Sequence, residues 1–123
     1  MCIRDRKKGT SKKGDVLGVA RLAGIMGAKS TSRLIPLCHA VNLSSVNIEF
    51  RVDSKLGDIS IKASVSSVGS TGVEMEALCG VNAGLLCAWD MLKSAEKDNI
   101  GQYPVARINA VRVLKKSKGD PHD

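Results

Sequence analysis

Val46-Asn47-Ile48-Glu49-Phe50-Arg51-Val52, the hexapeptide Asp53-Ser54-Lys55-Leu56-Gly57-Asp58, and Ile59-Ser60-Ile61-Lys62-Ala63-Ser64-Val65 form the stretch that decides the fold. Apolar and polar residues alternate on both sides of the turn-forming segment. Period-two alternation puts Val46, Ile48, Phe50 and Val52 on one face and Asn47, Glu49 and Arg51 on the other. The second arm sets Ile59, Ile61, Ala63 and Val65 against Ser60, Lys62 and Ser64. The pattern predicts an antiparallel hairpin with one covered face and one wet face.

Helical periodicity flanks this hairpin. Upstream, Val16, Val19, Ala20, Ala23 and Met26 follow helical spacing, and Asp15 stands before them as an N-cap. Gly18, Gly24 and Gly27 each lower helix propensity by ~1 kcal/mol relative to alanine, so this helix is expected to press closely against a neighbour. Pro36 interrupts, leaving Ile35 to His39 extended or in a loop. Downstream, Thr71-Gly72-Val73-Glu74 fits a capping box and opens a long helix from about Glu74 to about Lys97. Its expected apolar stripe is Met75, Leu78, Cys79, Leu85, Leu86, Trp89 and Leu92, with Asn82 off pattern. Ala77, Gly80, Ala83, Gly84 and Ala88 are small and permit close approach. A last strand is expected from Arg107 to Leu114, alternating Ile108, Ala110, Arg112 and Leu114 against Asn109, Val111 and Val113. The fold class is α+β, helices against an antiparallel sheet.

The chain has 123 residues, about one domain's worth. Residues 1–12 read as a disordered or foreign lead-in, 13–117 as a single domain and 118–123 as a C-terminal tail. Hydrophobic residues make up 43% and charged residues 25%, a globular composition that excludes a disordered chain. No apolar run approaches the ~18 residues of a membrane span, so a soluble protein without a membrane partner is expected. The net charge of +7 is confined to the ends: six basic groups against Asp5 over residues 1–13, four against Asp120 and Asp123 over 112–123. The middle holds nine basic and nine acidic groups, and the aromatics are only Phe50, Trp89 and Tyr103. Both counts argue against a nucleic-acid partner. Cys2, Cys38, Cys79 and Cys87 form no CxxC pair, which argues against a zinc site and for reduced thiols. No metal-ligand cluster or resident cofactor is expected.

A few polar groups exceed what packing needs. Glu74 suits the capping-box acid, and Glu76 is a favourable charge in the first helical turn. Asp90 and Lys93 sit three apart and can pair on one face, either as a plain surface ion pair or as a desolvated working pair. His39 is the one histidine within 13–117. Lys13 precedes Gly14-Asp15 at a helix start, a natural place for phosphate oxygens. Glu76 and Asp90 are 14 residues apart, ~21 Å along one straight helix. No small-molecule site spans that length, so the two ends serve different sites or a second copy brings them together.

Lys13-Gly14-Asp15-Val16, Ala23-Gly24-Ile25, Leu34-Ile35-Pro36-Leu37-Cys38-His39, Thr71-Gly72-Val73-Glu74-Met75-Glu76-Ala77-Leu78 and Asp90-Met91-Leu92-Lys93-Ser94-Ala95 occur in this order. Together they resemble the cyclic pyranopterin monophosphate synthase (MoaC-type) family of molybdenum cofactor biosynthesis, from about Lys12 to Ser117. The resemblance implies a ferredoxin-like α+β protomer in a dimer-based homo-oligomer, a hexamer built as a trimer of dimers. It implies a cytoplasmic enzyme (or one of the mitochondrial matrix in a eukaryote) working downstream of a radical SAM enzyme. The reaction would convert 3′,8-cyclo-7,8-dihydro-GTP into cyclic pyranopterin monophosphate and pyrophosphate, a phosphorus–oxygen lyase activity.

By the same resemblance Asp90, Lys13 and Lys93 are catalytic. Leu37, Cys38, His39, Glu74, Met75 and Glu76 would meet the substrate, and Lys29, with Arg21 as an alternative, could offset phosphate charge. Family members also carry strand-forming sequence before the Lys13-Gly14-Asp15-Val16 segment that Met1 to Ser11 does not resemble, so the N-terminal part of the family domain is expected to be missing. A basic nucleic-acid module and an inert interaction fragment are the competing readings.

Overall fold

The computed structural model describes residues 10–11 and 14–117. Its elements are β1 (Thr10–Ser11), β2 (Gly14–Asp15), α1 (Val16–Lys29), α2 (Thr31–Leu34), β3 (Leu43–Asp53), β4 (Asp58–Ser67) and α3 (Glu74–Glu96). β1 and β2 form a minimal antiparallel pair, and β3 and β4 form the hairpin expected from the alternation. The register pairs Val46 with Val65, Ile48 with Ala63, Phe50 with Ile61 and Val52 with Ile59, so the apolar residues of both arms share one face. Asp53 closes the turn. Its Oδ1 accepts from the backbone N–H groups of Lys55 and Leu56, and Gly57 takes a φ of 72° that its missing Cβ permits.

Helices α1 and α3 form the second layer, and the α+β class holds. Asp15 caps α1 by accepting from the Gly18 N–H at 3.0 Å. The two helices run antiparallel with almost no side chain between them. A Cβ at Gly27 would lie 2.5 Å from Ala83 Cβ and 2.8 Å from the Cys79 carbonyl oxygen; one at Gly24 would lie 3.1 Å from the Gly80 carbonyl. The expected cost of glycine in α1 is thus offset by burial at the helix crossing. Val16, Ala20, Ala88, Met91 and Leu92 make the central core, with Phe50, Ile59 and Cys87 packed against it.

Three expectations are corrected. The buried face of α3 is Glu76, Gly80, Gly84, Ala88, Met91 and Leu92, not the large-residue stripe. Of that stripe only Leu92 is buried; Met75 and Leu86 are exposed, as are Val19 and Met26 on α1. Close helix contact selects the smallest side chains, and a periodicity count weighted toward large ones points to a rotated face. The capping box is absent: Val73 is the N-cap of α3 without a side-chain bond, and Glu74 begins the helix where a box would need it three residues in.

The last strand is also absent. Residues 105–117 hold no strand, because Ala110 adopts a φ of 55°, a left-handed conformation that breaks an extended run. Inward-facing positions pass from Ala106 and Ile108 to Val111 across that kink.

The helix crossing yields a direct expectation. Gly27→Ala adds the better helix former yet should lower stability by about 1–3 kcal/mol, since backbone must move to admit a methyl group. Urea unfolding measures this; an unchanged or raised midpoint would show that the helices can separate without loss.

Candidate functional site

The segment from α1 to β3 is positioned by one buried threonine. Thr31 is 1% exposed, and its Oγ1 donates to the Ala28 carbonyl at 2.9 Å, which turns the chain at the end of α1. The turn continues through Ile35 N–H to the Thr31 carbonyl and Cys38 N–H to the Ile35 carbonyl. Pro36 holds the following residues out of the helix. Leu37, Cys38 and His39 therefore sit on a projecting loop, Leu37 93% exposed, His39 exposed and Cys38 a half-buried free thiol.

Glu76 is the one buried acid of the site, at 6% exposure. It is fixed in the first turn of α3, where the helix N-terminus favours its charge. It shares a cavity of about 40 Å³ with Lys29, Thr31, Ser32, Ala40, Val41 and Leu43. The space suits about one water molecule and is far too small for a nucleotide. Lys29 closes α1 and is exposed above this cavity. One end of the protomer thus gathers Lys29, Glu76 and the loop bearing His39.

The neighbouring acids differ. Glu74 is paired with Lys116, one of the basic groups of the C-terminal end. No spacing signal links them, since the contact depends on the path of 103–117. Met75 points outward from the same turn. Arg21, the alternative phosphate ligand, is engaged elsewhere: its Nε donates to the Ile48 carbonyl at 3.1 Å and its guanidinium stands 5.3 Å from the Phe50 ring centroid.

Asp90 and Lys93 meet at 2.8 Å, with side chains 58% and 43% exposed. In the protomer this is a solvated i,i+3 pair, not a desolvated one. The hydrogen bond to Asp90, reinforced by its charge, raises the Lys93 ammonium above the ordinary 10.5. Burial, with the Asp90 charge adding to it, pushes the neighbouring Cys87 thiol upward, so it stays protonated at neutral pH. The pair lies at the far end of α3 from Glu76, and α3 is unbroken over Glu74–Glu96. The ~21 Å separation expected from the sequence is therefore real within one protomer.

Lys13 and the histidine at 122 lie outside the described residues. Among the described residues no three His, Cys, Asp or Glu side chains gather as a metal site requires, and no helix is long and apolar enough to cross a membrane. The chemistry available is that of carboxylates, ammonium groups and one imidazole: proton transfer and charge neutralisation.

Comparison with known proteins shows the family. The MoaC family model matches residues 2–119. A probable cyclic pyranopterin monophosphate synthase of Methanospirillum hungatei is 52% identical over 118 residues, 96% of this chain and 72% of the relative. Proteins with the same description from Methanococcoides burtonii and Thermococcus kodakarensis are 48% and 49% identical over 91% and 93% of this chain, covering 69% and 72% of their own lengths. The chain belongs to the MoaC family.

Proposed function

We propose that this chain is a cyclic pyranopterin monophosphate synthase, converting 3′,8-cyclo-7,8-dihydro-GTP into cyclic pyranopterin monophosphate and pyrophosphate in molybdenum cofactor biosynthesis. The observation that carries the reading is the family match over nearly the whole chain, with curated relatives about half identical. In this reading it acts in the cytoplasm on the product of a radical SAM enzyme.

The reaction opens a purine imidazole ring, builds a pyrazine ring and closes a cyclic phosphate as pyrophosphate leaves. Asp90, paired with Lys93, is the acid/base couple. Its carboxylate takes and returns protons while the raised ammonium stays charged and holds it in place. Glu76 and His39 grip the guanine-derived edge by hydrogen bonds, with Leu37, Cys38, Met75 and Glu74 around it. Lys13 and Lys29 stand against the charge that builds on the departing pyrophosphate.

These groups belong to one site only if two copies share it. The solvent side of the helix layer favours such pairing: Val19, Leu22 and Met26 of α1 and Leu86 of α3 are exposed, Leu22, Met26 and Leu86 each by more than half. Asp90 and Lys93 stand beside Leu86 on α3. A dimer closing over this face would desolvate the ion pair and bring it toward the Glu76 end of its partner, and further dimers would build the hexamer.

Supplied with the cyclic dihydro-GTP, the protein should release pyrophosphate, and Asp90→Asn and Lys13→Ala should each lose about 10²-fold or more in turnover. Wild-type rates from both variants would refute these roles while leaving the family intact. Leu86→Glu should convert a multimer to a monomer in light scattering and abolish turnover; an active monomer would contradict the shared site.

The ion pair also has a pH signature. Because the folded ammonium titrates above its unfolded value, its contribution is present below pH ~10.5 and fades as pH rises through the higher folded value. Asp90→Asn should bring Lys93 back toward its ordinary titration, read from its side-chain carbon shifts by NMR. An unmoved titration would mean that Asp90 is not its partner in solution.

A further inference from the structure

Two-fold pairing over the helix layer has a fixed consequence for α3. An axis that sets Asp90 of one copy level with the partner's Glu76 must cross α3 at their midpoint, Ala83, with the partner's α3 antiparallel. Charge favours that arrangement. Glu74 and Glu76 lie in the first turn of α3 and Lys93 in its last, and antiparallel pairing opposes the two helix dipoles. Lys93, already bound to Asp90, comes within ~5 Å along the axis of the partner's Glu76 and stands between two carboxylates.

Burial shows which surface would cross the axis. The buried face of α3 includes Gly80 and Gly84, each ~160° around the helix from residue 82. Asn82 therefore lies at the centre of the outward face and is exposed. Met75, Leu86 and Lys93 lie within ~40° of it on the same outward line. Met75 and Leu86 are exposed, and Leu22 and Met26 add exposed apolar surface on the adjoining helix α1. Between Met75 and Trp89 the outward side of α3 carries a single polar side chain, that of Asn82.

The amide of Asn82 is held and only partly used. Asparagine is a poor helix former, and here its Nδ2 donates back to the Leu78 carbonyl at 2.8 Å. Among the described residues its Oδ1 and its second amide hydrogen make no bond. One residue, ~1.5 Å of rise, separates Asn82 from the axis position, so the two copies of Asn82 come level to within ~3 Å.

We propose, on the two-copy reading of the site, that Asn82 is the positioning residue of that interface. At the two-fold axis it meets the Asn82 of the second copy, each Nδ2–H donating to the other's Oδ1. Burying this amide is costly unless its partner is in place. A slide of about one turn opposes Asn82 to apolar Leu86 or Leu78 and leaves it unsatisfied. The same slide would carry Asp90 ~6 Å past the partner's Glu76. One polar residue in an apolar helix seam thus selects the register in which the catalytic groups meet.

Charge exchange at position 82 tests this, because only a residue that meets its own copy is repaired by its opposite. Asn82→Asp and Asn82→Lys proteins should each lose the multimer in light scattering and about tenfold or more in turnover, through like charges at the axis. An equimolar mixture of the two should regain both the multimer and pyrophosphate release. Asn82→Leu should keep the multimer and lose about tenfold in kcat, since slipped registers become accessible. The proposal is overturned if mixing restores neither mass nor turnover, if both charged variants stay assembled and active, or if Asn82→Leu keeps the wild-type kcat. Leu86→Glu separates the two levels of failure. An active monomer sinks the shared site itself, whereas an inactive one beside unrepaired charge variants sinks only the role of Asn82.

Discussion

The structure depends on the near-contact of two helix backbones. Gly24 against Gly80 and Gly27 against Ala83 bring α1 and α3 together with almost nothing between them. Each glycine weakens its helix locally, and the crossing compensates through dispersion between closely fitted surfaces. The same contact sets the relative positions of the described residues proposed for the site. It fixes the end of α1, where Thr31 turns the chain into the loop of Leu37, Cys38 and His39, against the start of α3, where Glu76 is buried. It also sends the other end of α3, with Asp90 and Lys93, away from that loop.

A rigid helix between the two polar centres is therefore both an organising element and a constraint. Glu76 is desolvated within the protomer, whereas Asp90 and Lys93 are solvated. Proton transfer at a nucleotide-derived ring benefits from a dry environment, and one protomer provides that at only one end. The exposed Val19, Leu22, Met26 and Leu86 lie on the helix layer that such an environment would need covered.

Much of this was legible in the sequence, and the failures are physical. The hairpin followed from strict alternation around Asp53-Ser54-Lys55-Leu56-Gly57-Asp58, and the Asp15 cap from its place before Val16. The existence of α3 was legible; its buried face was not. Periodicity finds large apolar residues, while this helix buries glycine and alanine because its neighbour is another backbone. Arg107 to Leu114 had the alternation of a strand, but a strand also needs a ladder partner; among the described residues it has none, and Ala110 breaks the run. Among the site residues, the Asp90–Lys93 pair followed from i,i+3 spacing. The Glu74–Lys116 pair did not, because 42 positions separate the two and only the return of the chain along α3 joins them.

The central claim is that catalytic groups from two copies make one site, and subunit mixing tests it most directly. Glu76→Gln and Asp90→Asn proteins, each inactive alone, would be unfolded together and refolded as mixed oligomers. The account predicts that pyrophosphate release returns in the mixture, because some interfaces then combine an intact Glu76 from one chain with an intact Asp90 from the other. Mixed oligomers that assemble normally and stay inactive would contradict it.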